Sequence, residues 1–497
     1  MKKEKKQNLL GRPPVVVVMG HVDHGKTTLL DYIRKTNVAG KEAGGITQSV
    51  GAYEIQHPLA SGKKITFIDT PGHEAFSKMR SRGATIADLG ILVVAADEGI
   101  KPQTKEAVSH LKTAGLSFIV AINKIDKNNA DPERVKQALS DADVKLEGYG
   151  GDISYQEVSA KTGQGVNELL DLILLSAELE DLKYDPNTNP NGVILEAKID
   201  SRKGIIAIAI LKNGVLKTGQ NIATSNAVGK IKALKDFQGK VVDRLEPSAP
   251  ALIFGFEALP QTGEEFTAWE NGSCAKPQTA TGVKTVAPQK IKEQKTIAEK
   301  SDSAKNPKII LKADNAGSLE ALKDLVAKIP GEIKFGIIDS GIGDIKENDL
   351  KFADAAKAMV AGFRVKIDRA AENMAKNHRV TIALSDIIYE LLKTLERHLK
   401  TIEQMIGSEL EVLAIFGKPK QAGNMKKQVI GGKIINGIIK NKSDFEVLRG
   451  KESLGGGRLK NLQQNKADIA EAEAGQEVGM MVESDAVIKE GDRLKFL

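Results

Sequence analysis

Short apolar runs alternate with amphipathic stretches through the first third of the chain. Fully apolar runs separated by helical patterns are typical of a parallel, doubly wound α/β sheet that is covered on both faces. We therefore assign residues 15–182 to one α/β domain, preceded by a basic flexible tail at residues 1–14. The predicted strands are Val15–Met19, Ile65–Asp69, Gly90–Ala95 and Ser117–Asn123. The predicted helices are Thr27–Arg34, His73–Gly83, Lys101–Ala114, Pro132–Ala142 and Gly165–Leu179.

The periodicity changes after a turn-rich segment at Asp185–Gly192. Residues 190–270 carry short β-like runs without helical spacing, which predicts a small β-barrel. Residues 271–307 lose their apolar positions and are rich in lysine, so we predict a linker with a charged helix near Ile291–Lys300. The predicted barrel strands are Val193–Ile199, Ile205–Leu211, Val228–Leu234 and Leu252–Gly255.

Strand and helix patterns alternate again over residues 308–384, which predicts a second, smaller α/β/α domain. Apolar positions at three- and four-residue steps over residues 385–409 predict a long connecting helix with Ser385 as its cap. The glycine-rich, β-rich segment 410–497 predicts a C-terminal β-barrel. The predicted elements of the smaller domain are, in order, Lys308–Ala313, Leu319–Ala327, Ile333–Ser340, Lys346–Ala355, Ala358–Val365 and Arg369–Asn377.

The composition limits the class of protein and the cellular compartment to which these domains can belong. The chain of 497 residues is 41% hydrophobic and 28% charged, as in ordinary globular proteins, and it lacks the long apolar run of a membrane span. A single cysteine, Cys274, excludes an intramolecular disulfide framework and indicates a reducing, cytoplasmic setting. The formal charge of +7 permits a polyanionic partner but is equally typical of charge kept for solubility.

The strongest chemical signal follows the first predicted strand. Gly20 and Gly25, followed by Lys26 and Thr27, have the spacing of a phosphate-binding loop between a strand and a helix. In such a loop backbone N–H groups surround the phosphates, the lysine reaches the β- and γ-phosphates, and the Thr hydroxyl coordinates Mg²⁺. The predicted phosphate-binding residues are Gly20, His21, Val22, Asp23, His24, Gly25, Lys26, Thr27 and Thr28.

Two further segments are placed to respond to the terminal phosphate. The string Asp69-Thr70-Pro71-Gly72-His73 follows a predicted strand, so Asp69 suits contact with Mg²⁺ through water and the Gly72 N–H suits the γ-phosphate. Taken alone, the same string is equally a surface turn. Thr47, in the glycine-rich loop Glu42–Gln48, can complete the Mg²⁺ shell while the γ-phosphate is present, which predicts a switch loop.

The base is indicated by two strings at later strand ends. In Asn123-Lys124-Ile125-Asp126, the Asp126 carboxylate can accept both N1–H and N2–H₂ of guanine, a pair that adenine does not present. Asn123 can supply a complementary contact to the base, and the Lys124 stem can pack on its face. The backbone N–H groups of Ser159-Ala160-Lys161 can meet the guanine O6. The order of all these motifs predicts a guanine nucleotide.

These motifs resemble those of the translational GTPases, whose phosphate loop reads Gly-His-Val-Asp-His-Gly-Lys-Thr and whose second switch reads Asp-Thr-Pro-Gly-His. Within them, Glu42–Gln48 and Lys312–Ala321 are similar to the first switch and the opening of the third domain of the bacterial initiation factor 2 family. The resemblance covers residues 13–497. It implies the family's domain order, with a short lysine-rich tail in place of the long N-terminal extension common in this family.

The resemblance also implies a function. The chain would be a GTPase that uses GTP, GDP and Mg²⁺, and hydrolysis would be triggered on the ribosome. His73 would position the attacking water, and Val22 and Ile46 would flank it as an apolar gate. The factor would promote binding of initiator formylmethionyl-tRNA to the small ribosomal subunit and joining of the large one, with lysine-rich surfaces contacting ribosomal RNA. We expect a cytoplasmic monomer that makes no membrane contact.

The C-terminal barrel departs from the family pattern. Val478 stands where Cys is usual, Lys433 falls where the family often has Cys, and Asn461 replaces an Arg. The tRNA-binding residues that the resemblance implies are Lys433, Lys460, Glu477 and Gly479. A pocket with altered polarity is therefore expected at this barrel.

Two other functions stay open on the sequence. An elongation-type factor would carry similar nucleotide motifs, although the Gly-Gly-Ile-Thr-Gln string and the second α/β domain argue against it. A GTP-dependent tRNA carrier with little hydrolysis would share every motif above.

Overall fold

A computed structural model describes most of the chain, which divides into two compact units. The first unit holds the N-terminal α/β domain, the first barrel and most of the smaller α/β domain, and the second holds the C-terminal barrel. The switch loop at Glu42–Gln48 and the predicted helix Ile291–Lys300 lie outside the described residues. The described residues are 9–35, 51–60, 62–200, 202–270, 306–331, 333–378, 380–406, 408–422, 425–450, 452–465 and 467–496.

The N-terminal domain is built on a six-stranded sheet with the order β2-β3-β1-β4-β5-β6. Five strands run parallel, whereas β2 pairs antiparallel with β3, so the sheet is mixed rather than purely parallel. The sequence pattern missed β2 and β6, because both are short, partly exposed edge strands with polar residues between apolar ones. The strands are β1 (Val15–Gly20), β2 (Gly51–Gln56), β3 (Lys64–Asp69), β4 (Leu89–Ala95), β5 (Phe118–Asn123) and β6 (Tyr155–Glu157).

In the described part of this domain, five α-helices cover the sheet, close to the predicted positions. The exception is the helix predicted at His73–Gly83, which is a 3₁₀ turn at Glu74–Phe76 followed by an α-helix. His73 itself is extended, with φ −68° and ψ 144°, as is usual for the residue directly before a first helical turn. The helices are α1 (Lys26–Arg34), α2 (Ser77–Ile86), α3 (Pro102–Thr113), α4 (Pro132–Asp141) and α5 (Val166–Leu179).

The sheet gathers the predicted motifs at one edge. Strands β1 and β4 are buried along their whole length, as expected for central strands covered by helices on both faces. Because parallel strands end at the same edge, the loops after β1, β3 and β5 meet there. These are the loops that carry the phosphate, Asp69–His73 and Asn123–Asp126 motifs.

The first barrel closes as a ring of six antiparallel strands in the order β9-β12-β7-β8-β11-β10. All four predicted strands are present, each extended by a few residues. The sequence pattern missed β9 and β12, which are short and complete the ring. The strands are β7 (Asn191–Asp200), β8 (Gly204–Asn213), β9 (Asn221–Ala223), β10 (Val228–Lys235), β11 (Pro250–Phe256) and β12 (Glu265–Trp269).

A buried carboxylate joins this barrel to the N-terminal domain. This contact also corrects the prediction of a flexible tail over residues 1–14, because Arg12 binds this carboxylate and Leu10–Gly11 pairs with Lys183–Tyr184. Asp88 accepts two hydrogen bonds from Arg12, at 2.6 and 2.8 Å, and one from Lys212 of the barrel, at 3.2 Å. Ser248 of the barrel donates to the Pro13 carbonyl at 2.6 Å. Burial opposes ionisation of Asp88, but these cations outweigh it and hold its pKa below the ordinary value.

The smaller α/β domain has a four-stranded sheet with the order β14-β13-β15-β16. Ser385, predicted as the cap of the long helix, lies three residues before its start, and its hydroxyl accepts the Ile387 N–H at 3.0 Å. It ends β16, paired with Phe363, and the helix begins at Ile388. The strands are β13 (Lys308–Ala313), β14 (Gly336–Ile342), β15 (Ala358–Phe363) and β16 (Ile382–Ser385), and the helices are α6 (Ala316–Lys328), α7 (Glu347–Ala356), α8 (Arg369–His378) and α9 (Ile388–Ile406).

The C-terminal barrel is a second closed ring of six strands, in the order β19-β22-β17-β18-β21-β20. Alternate side chains such as Ile430, Ile434 and Val482 fill its interior. Its strands are β17 (Glu409–Ala422), β18 (Met425–Asn436), β19 (Asp444–Arg449), β20 (Glu452–Gln464), β21 (Glu477–Ser484) and β22 (Arg493–Phe496). Among the helices described, none has the length and apolar character that a membrane span requires.

Replacing Asp88 tests the joint between the domain and the barrel. Asp88→Asn leaves two buried cations without their counter-charge, so we expect the free energy of unfolding to fall by about 3 kcal/mol near neutral pH. Because the folded-state pKa of Asp88 is lowered, this advantage of the wild type should shrink as pH falls below about 5, through the ordinary value of 3.8 and on to the lowered folded-state value. Urea unfolding followed by Trp269, the single tryptophan of the chain, measures both effects.

Asp181→Asn is the matched control, since Asp181 pairs with Lys183 at the surface. It should change stability by less than about 0.5 kcal/mol. Equal losses in the two variants would contradict the role given to Asp88.

Candidate functional site

The phosphate-binding loop is a close-packed turn between β1 and α1. Gly20 and Gly25 have positive φ values of 147° and 86°. A Cβ at Gly20 would lie 2.3 Å from the Val93 carbonyl oxygen, and one at Gly25 would lie 2.3 Å from Asn123 Nδ2. Neither position has room for a side chain, so both glycines are required by the backbone path.

Lys26 is a buried cation at the mouth of this loop. Its Nζ donates to the carbonyl oxygens of Gly20, at 2.9 Å, and His21, at 2.6 Å. Burial lowers the pKa of Lys26, and the nearby Asp69 partly offsets that effect. The ammonium is held by its own loop, at the point where the sequence predicts phosphate oxygens.

The loop histidines shape the loop. His24 is fully buried, and its burial lowers its pKa to about 4, so the ring is neutral near pH 7. His21 lies edge-on to it, with ring centroids 5.0 Å apart. The His24 side chain is therefore part of the domain core, and only its backbone is available to a ligand.

Gln103 is a loop contact that the sequence did not reveal. Its Oε1 accepts the backbone N–H of Val22 at 3.1 Å, from the first turn of α3. A polar side chain in a helical turn gives no sequence signal of such a role. Gln103 ties the centre of the phosphate loop to the neighbouring helix.

The Asp69–His73 turn closes onto the phosphate loop. Asp69 is buried at the end of β3, and Thr70 donates to the Val18 carbonyl at 2.9 Å. A Cβ at Gly72 would lie 2.5 Å from Lys26 Nζ. The structure therefore brings together Gly72 and Lys26, which the sequence predicted as contacts of one γ-phosphate.

Arg80 of α2 holds this turn through hydrogen bonds to its carbonyl oxygens. Its guanidinium is buried and donates to the carbonyl oxygens of Pro71, at 3.0 Å, and His73, and to the carboxylate of Glu106, at 2.7 Å. Sequence reasoning missed Arg80, although an arginine beside buried Met79 on the inner face of α2 was a usable signal. Burial of His73 lowers its pKa, so its ring is mostly neutral near pH 7.

Asn123 links two loops of the site. Its Nδ2 donates to the His24 carbonyl at 2.9 Å, and its Oδ1 accepts the Ala160 N–H at 2.9 Å. Both polar atoms of the Asn123 amide are thus used within the protein. In this conformation Asn123 bridges two loops rather than facing a base. Asp126 remains exposed, and the Ser159 hydroxyl, 2.7 Å from Asp126 Oδ1, lowers the pKa of its carboxyl.

The oxygen donors fit a magnesium ion held mainly by phosphate. Thr27 lies in the first turn of α1, and Asp69 lies at the end of β3. Among the described residues, no group of three or more His, Cys, Asp or Glu is placed to hold a metal. Mg²⁺ usually binds one or two protein oxygens together with phosphates and water, which suits this pair. Thr47 and Ile46 lie outside the described residues, so their roles stay predictions.

Family models match three stretches of the chain. The model of the elongation factor Tu GTP-binding domain matches residues 12–178, and that of elongation factor G domain 2 matches residues 189–269. The model of translation-initiation factor 2 matches residues 283–396. The first domain is therefore a translational GTPase domain.

Whole-chain comparisons decide the family. Translation initiation factor IF-2 of Dehalococcoides mccartyi is 40% identical over 506 residues, which cover 99% of this chain and 83% of that protein. The chain belongs to the translation initiation factor 2 family. The family member from Shouchella clausii is also 40% identical, and the chain spans 66% of its length. A solved structure, GDP-bound aIF5B from Aeropyrum pernix, is 28% identical across 98% of this chain and 92% of that one, with a TM-score of 0.45.

The residues that the family resemblance assigned to tRNA lie on the C-terminal barrel. Lys433 pairs directly with Glu477, and both are exposed. Gly479 lies two residues further along β21, beside Gly431. Lys460 lies at an irregularity of β20 and forms an ion pair with Glu483 at 2.9 Å.

Val478 has a different environment from these residues. It is buried in the interior of the barrel, 4% exposed, because neighbouring side chains on a strand face opposite sides. The departure from the family pattern that the resemblance implies at this position therefore lies in the core beneath the exposed face. It does not change a group on that face.

Removing the Asn123 amide tests the bridge. Asn123→Ala leaves the Ala160 N–H and the His24 carbonyl without their hydrogen-bond partner. Each buried group left unsatisfied costs about 1–3 kcal/mol of stability. We expect GDP affinity to fall by roughly tenfold to a hundredfold. Fluorescent GDP titration measures it.

Asn128→Ala is the matched control, because Asn128 lies exposed in the same loop. Its GDP affinity should equal that of the wild type. Unchanged affinity in Asn123→Ala as well would show that the bridge does not support the site.

Proposed function

We propose that the chain promotes initiator formylmethionyl-tRNA binding to the small ribosomal subunit and subunit joining, with GTP hydrolysis triggered on the ribosome. The observation that carries the proposal is the convergence of Lys26, Gly72 and His73 at one sheet edge in a chain of this family. Asp126 supports guanine as the base, because it is exposed and its lowered pKa keeps it an ionised acceptor.

The chemistry follows from the positions of these groups. Lys26 gives up its two carbonyl partners and donates to the β- and γ-phosphates, while the Gly72 N–H meets the γ-phosphate. Mg²⁺, when bound, neutralises charge that develops on the phosphates. His73 orients the attacking water, and its lowered pKa leaves the ring neutral and able to accept a proton or a hydrogen bond.

The exposed face of the C-terminal barrel supports a ligand with an apolar end. Phe416 and Val429 pair across β17 and β18 and are 61% and 40% exposed. The Phe416 ring lies over Gly431, where a Cβ would come within 3.0 Å of it, and Lys433 lies two residues further along the same face. An exposed apolar patch beside a cation suits a formylated methionyl group better than a plain RNA backbone.

Ribosome-dependent hydrolysis tests the reaction. We expect multiple-turnover phosphate release to be strongly stimulated by ribosomes, and His73→Ala to lower it by about a hundredfold or more while sparing GTP binding. His378→Ala, which removes an exposed histidine paired with Asp354, is the matched control and should keep full activity. Intact GTP affinity without ribosome stimulation would instead favour a GTP-dependent carrier with little hydrolysis.

Formylation tests the tRNA partner. We expect the full chain to bind formylated initiator tRNA at least about tenfold more tightly than the unformylated form, because the charged α-amino group is poorly accommodated beside Lys433. Equilibrium filter binding at fixed salt measures both. Equal affinities would contradict formyl recognition, and a preference for elongator aminoacyl-tRNA would favour an elongation-type factor.

A further inference from the structure

The first turn of α9 contacts the segment that carries His73. Tyr389 lies in this turn, which belongs to the first compact unit. Its ring centroid is 4.8 Å from that of His73, with the ring planes at 53°. The Ala75 backbone N–H donates to the Tyr389 hydroxyl. One side chain therefore holds both a ring and a backbone group of this segment.

The opposite side of the segment is held by Arg80. Its guanidinium binds the carbonyl oxygens of Pro71 and His73 and is fully buried, so it moves little. Arg80 and Tyr389 together restrain residues 71–75 from two directions. Any displacement of this segment must break or bend one of the two contacts.

The domain from which α9 starts is also docked on α2. Arg82 makes two hydrogen bonds with Glu320 of α6, at 2.7 and 3.1 Å, and Lys78 pairs with Asp324 at 2.8 Å. A Cβ at Gly317 would lie 2.4 Å from the Met79 methyl, so the two helices touch closely. The domain that carries Tyr389 is therefore held in place against α2.

A γ-phosphate needs space between the restrained segment and Lys26. Gly72 lies so near Lys26 that even a Cβ on Gly72 would come within 2.5 Å of Nζ. A phosphate that accepts hydrogen bonds from both groups needs about 2.8 Å to each donor, so the space must come from movement of the Lys26 side chain, of Gly72, or of both. Displacing Gly72 displaces His73, which is its chain neighbour and packs on Tyr389.

We propose that Tyr389 is a positioning residue that holds His73 and residues 71–75 against Lys26, and so sets the preference of the site between GDP and GTP. The contact opposes nucleotides with a γ-phosphate and is neutral toward GDP. Coupling is reciprocal, so bound GTP must in turn weaken the hold of residues 71–75 on α9. This inference rests on the proposed guanine-nucleotide switch and adds the residue that biases it.

Two substitutions separate the contributions of the ring and the hydroxyl. Tyr389→Ala removes the ring contact and the hydrogen bond from Ala75, whereas Tyr389→Phe removes only the hydrogen bond. With the full chain, we expect Tyr389→Ala to bind a non-hydrolysable GTP analogue about three- to tenfold more tightly, with GDP affinity changed less than about twofold. Tyr389→Phe should show a smaller shift of the same sign.

A spectroscopic readout follows His73 itself. Burial lowers the pKa of His73, so loss of the Tyr389 ring should raise that pKa toward its ordinary value. A proton–carbon NMR titration of the ring, assigned with His73→Ala, measures it. An unchanged pKa in Tyr389→Ala would show that the ring contact does not exist in solution and would overturn the proposal.

Glu320→Gln is the control for general loosening, because it removes the ion pairs of Glu320 with Lys78 and Arg82 without touching His73 or Tyr389. If Glu320→Gln showed the same affinity shift as Tyr389→Ala, a specific role for Tyr389 would be overturned. The proposal would also be overturned if neither Tyr389 variant changed the ratio of the affinity for the GTP analogue to the affinity for GDP. If the wild type bound neither nucleotide, the proposed switch itself would fail, which is a different and separable result.

Discussion

Compensation of the buried Lys26 ammonium is the constraint on which the nucleotide site of the first unit depends. A cation in such a position must be compensated, and the loop supplies its own carbonyl oxygens while Asp69 lies nearby. Two glycines let the backbone fold tightly enough to offer those oxygens. The same restraints leave the ammonium where incoming phosphates can exchange for carbonyls, so the structural need for compensation prepares the binding chemistry.

The neighbouring loops are ordered by contacts that connect them pairwise. Asn123 joins the phosphate loop to the Ser159–Lys161 loop, and Arg80 holds the Asp69–His73 turn to α3 through Glu106. Each of these side chains is buried and uses several polar atoms, so its loss would leave other buried groups unsatisfied. The site is consequently a small polar network on an apolar sheet, and its parts move together.

Apolar periodicity was sufficient to predict most elements but failed at their ends and edges. The central strands β1, β4 and β5 were found because they are fully buried and uninterrupted. Periodicity missed the edge strands β2 and β6 and the short barrel strands β9 and β12, because a few residues of mixed polarity give a weak periodic signal. Ser385 was misassigned because pairing with Phe363, a contact distant in sequence, extends a strand into the expected helix start.

The sequence by itself determined the chemistry. A guanine-nucleotide site is specified by the spacing of Gly20, Gly25 and Lys26 and by the strings that begin at Asp69 and Asn123, because each motif places particular donors or acceptors at the end of a strand. Tertiary structure alone decided how those groups are restrained. Gln103 and Tyr389 come from elements far along the chain from the groups that they contact, and no local pattern marks a side chain whose partner lies elsewhere. It also decided that Val478 is a core residue, because only the register of β21 tells which face a strand position occupies.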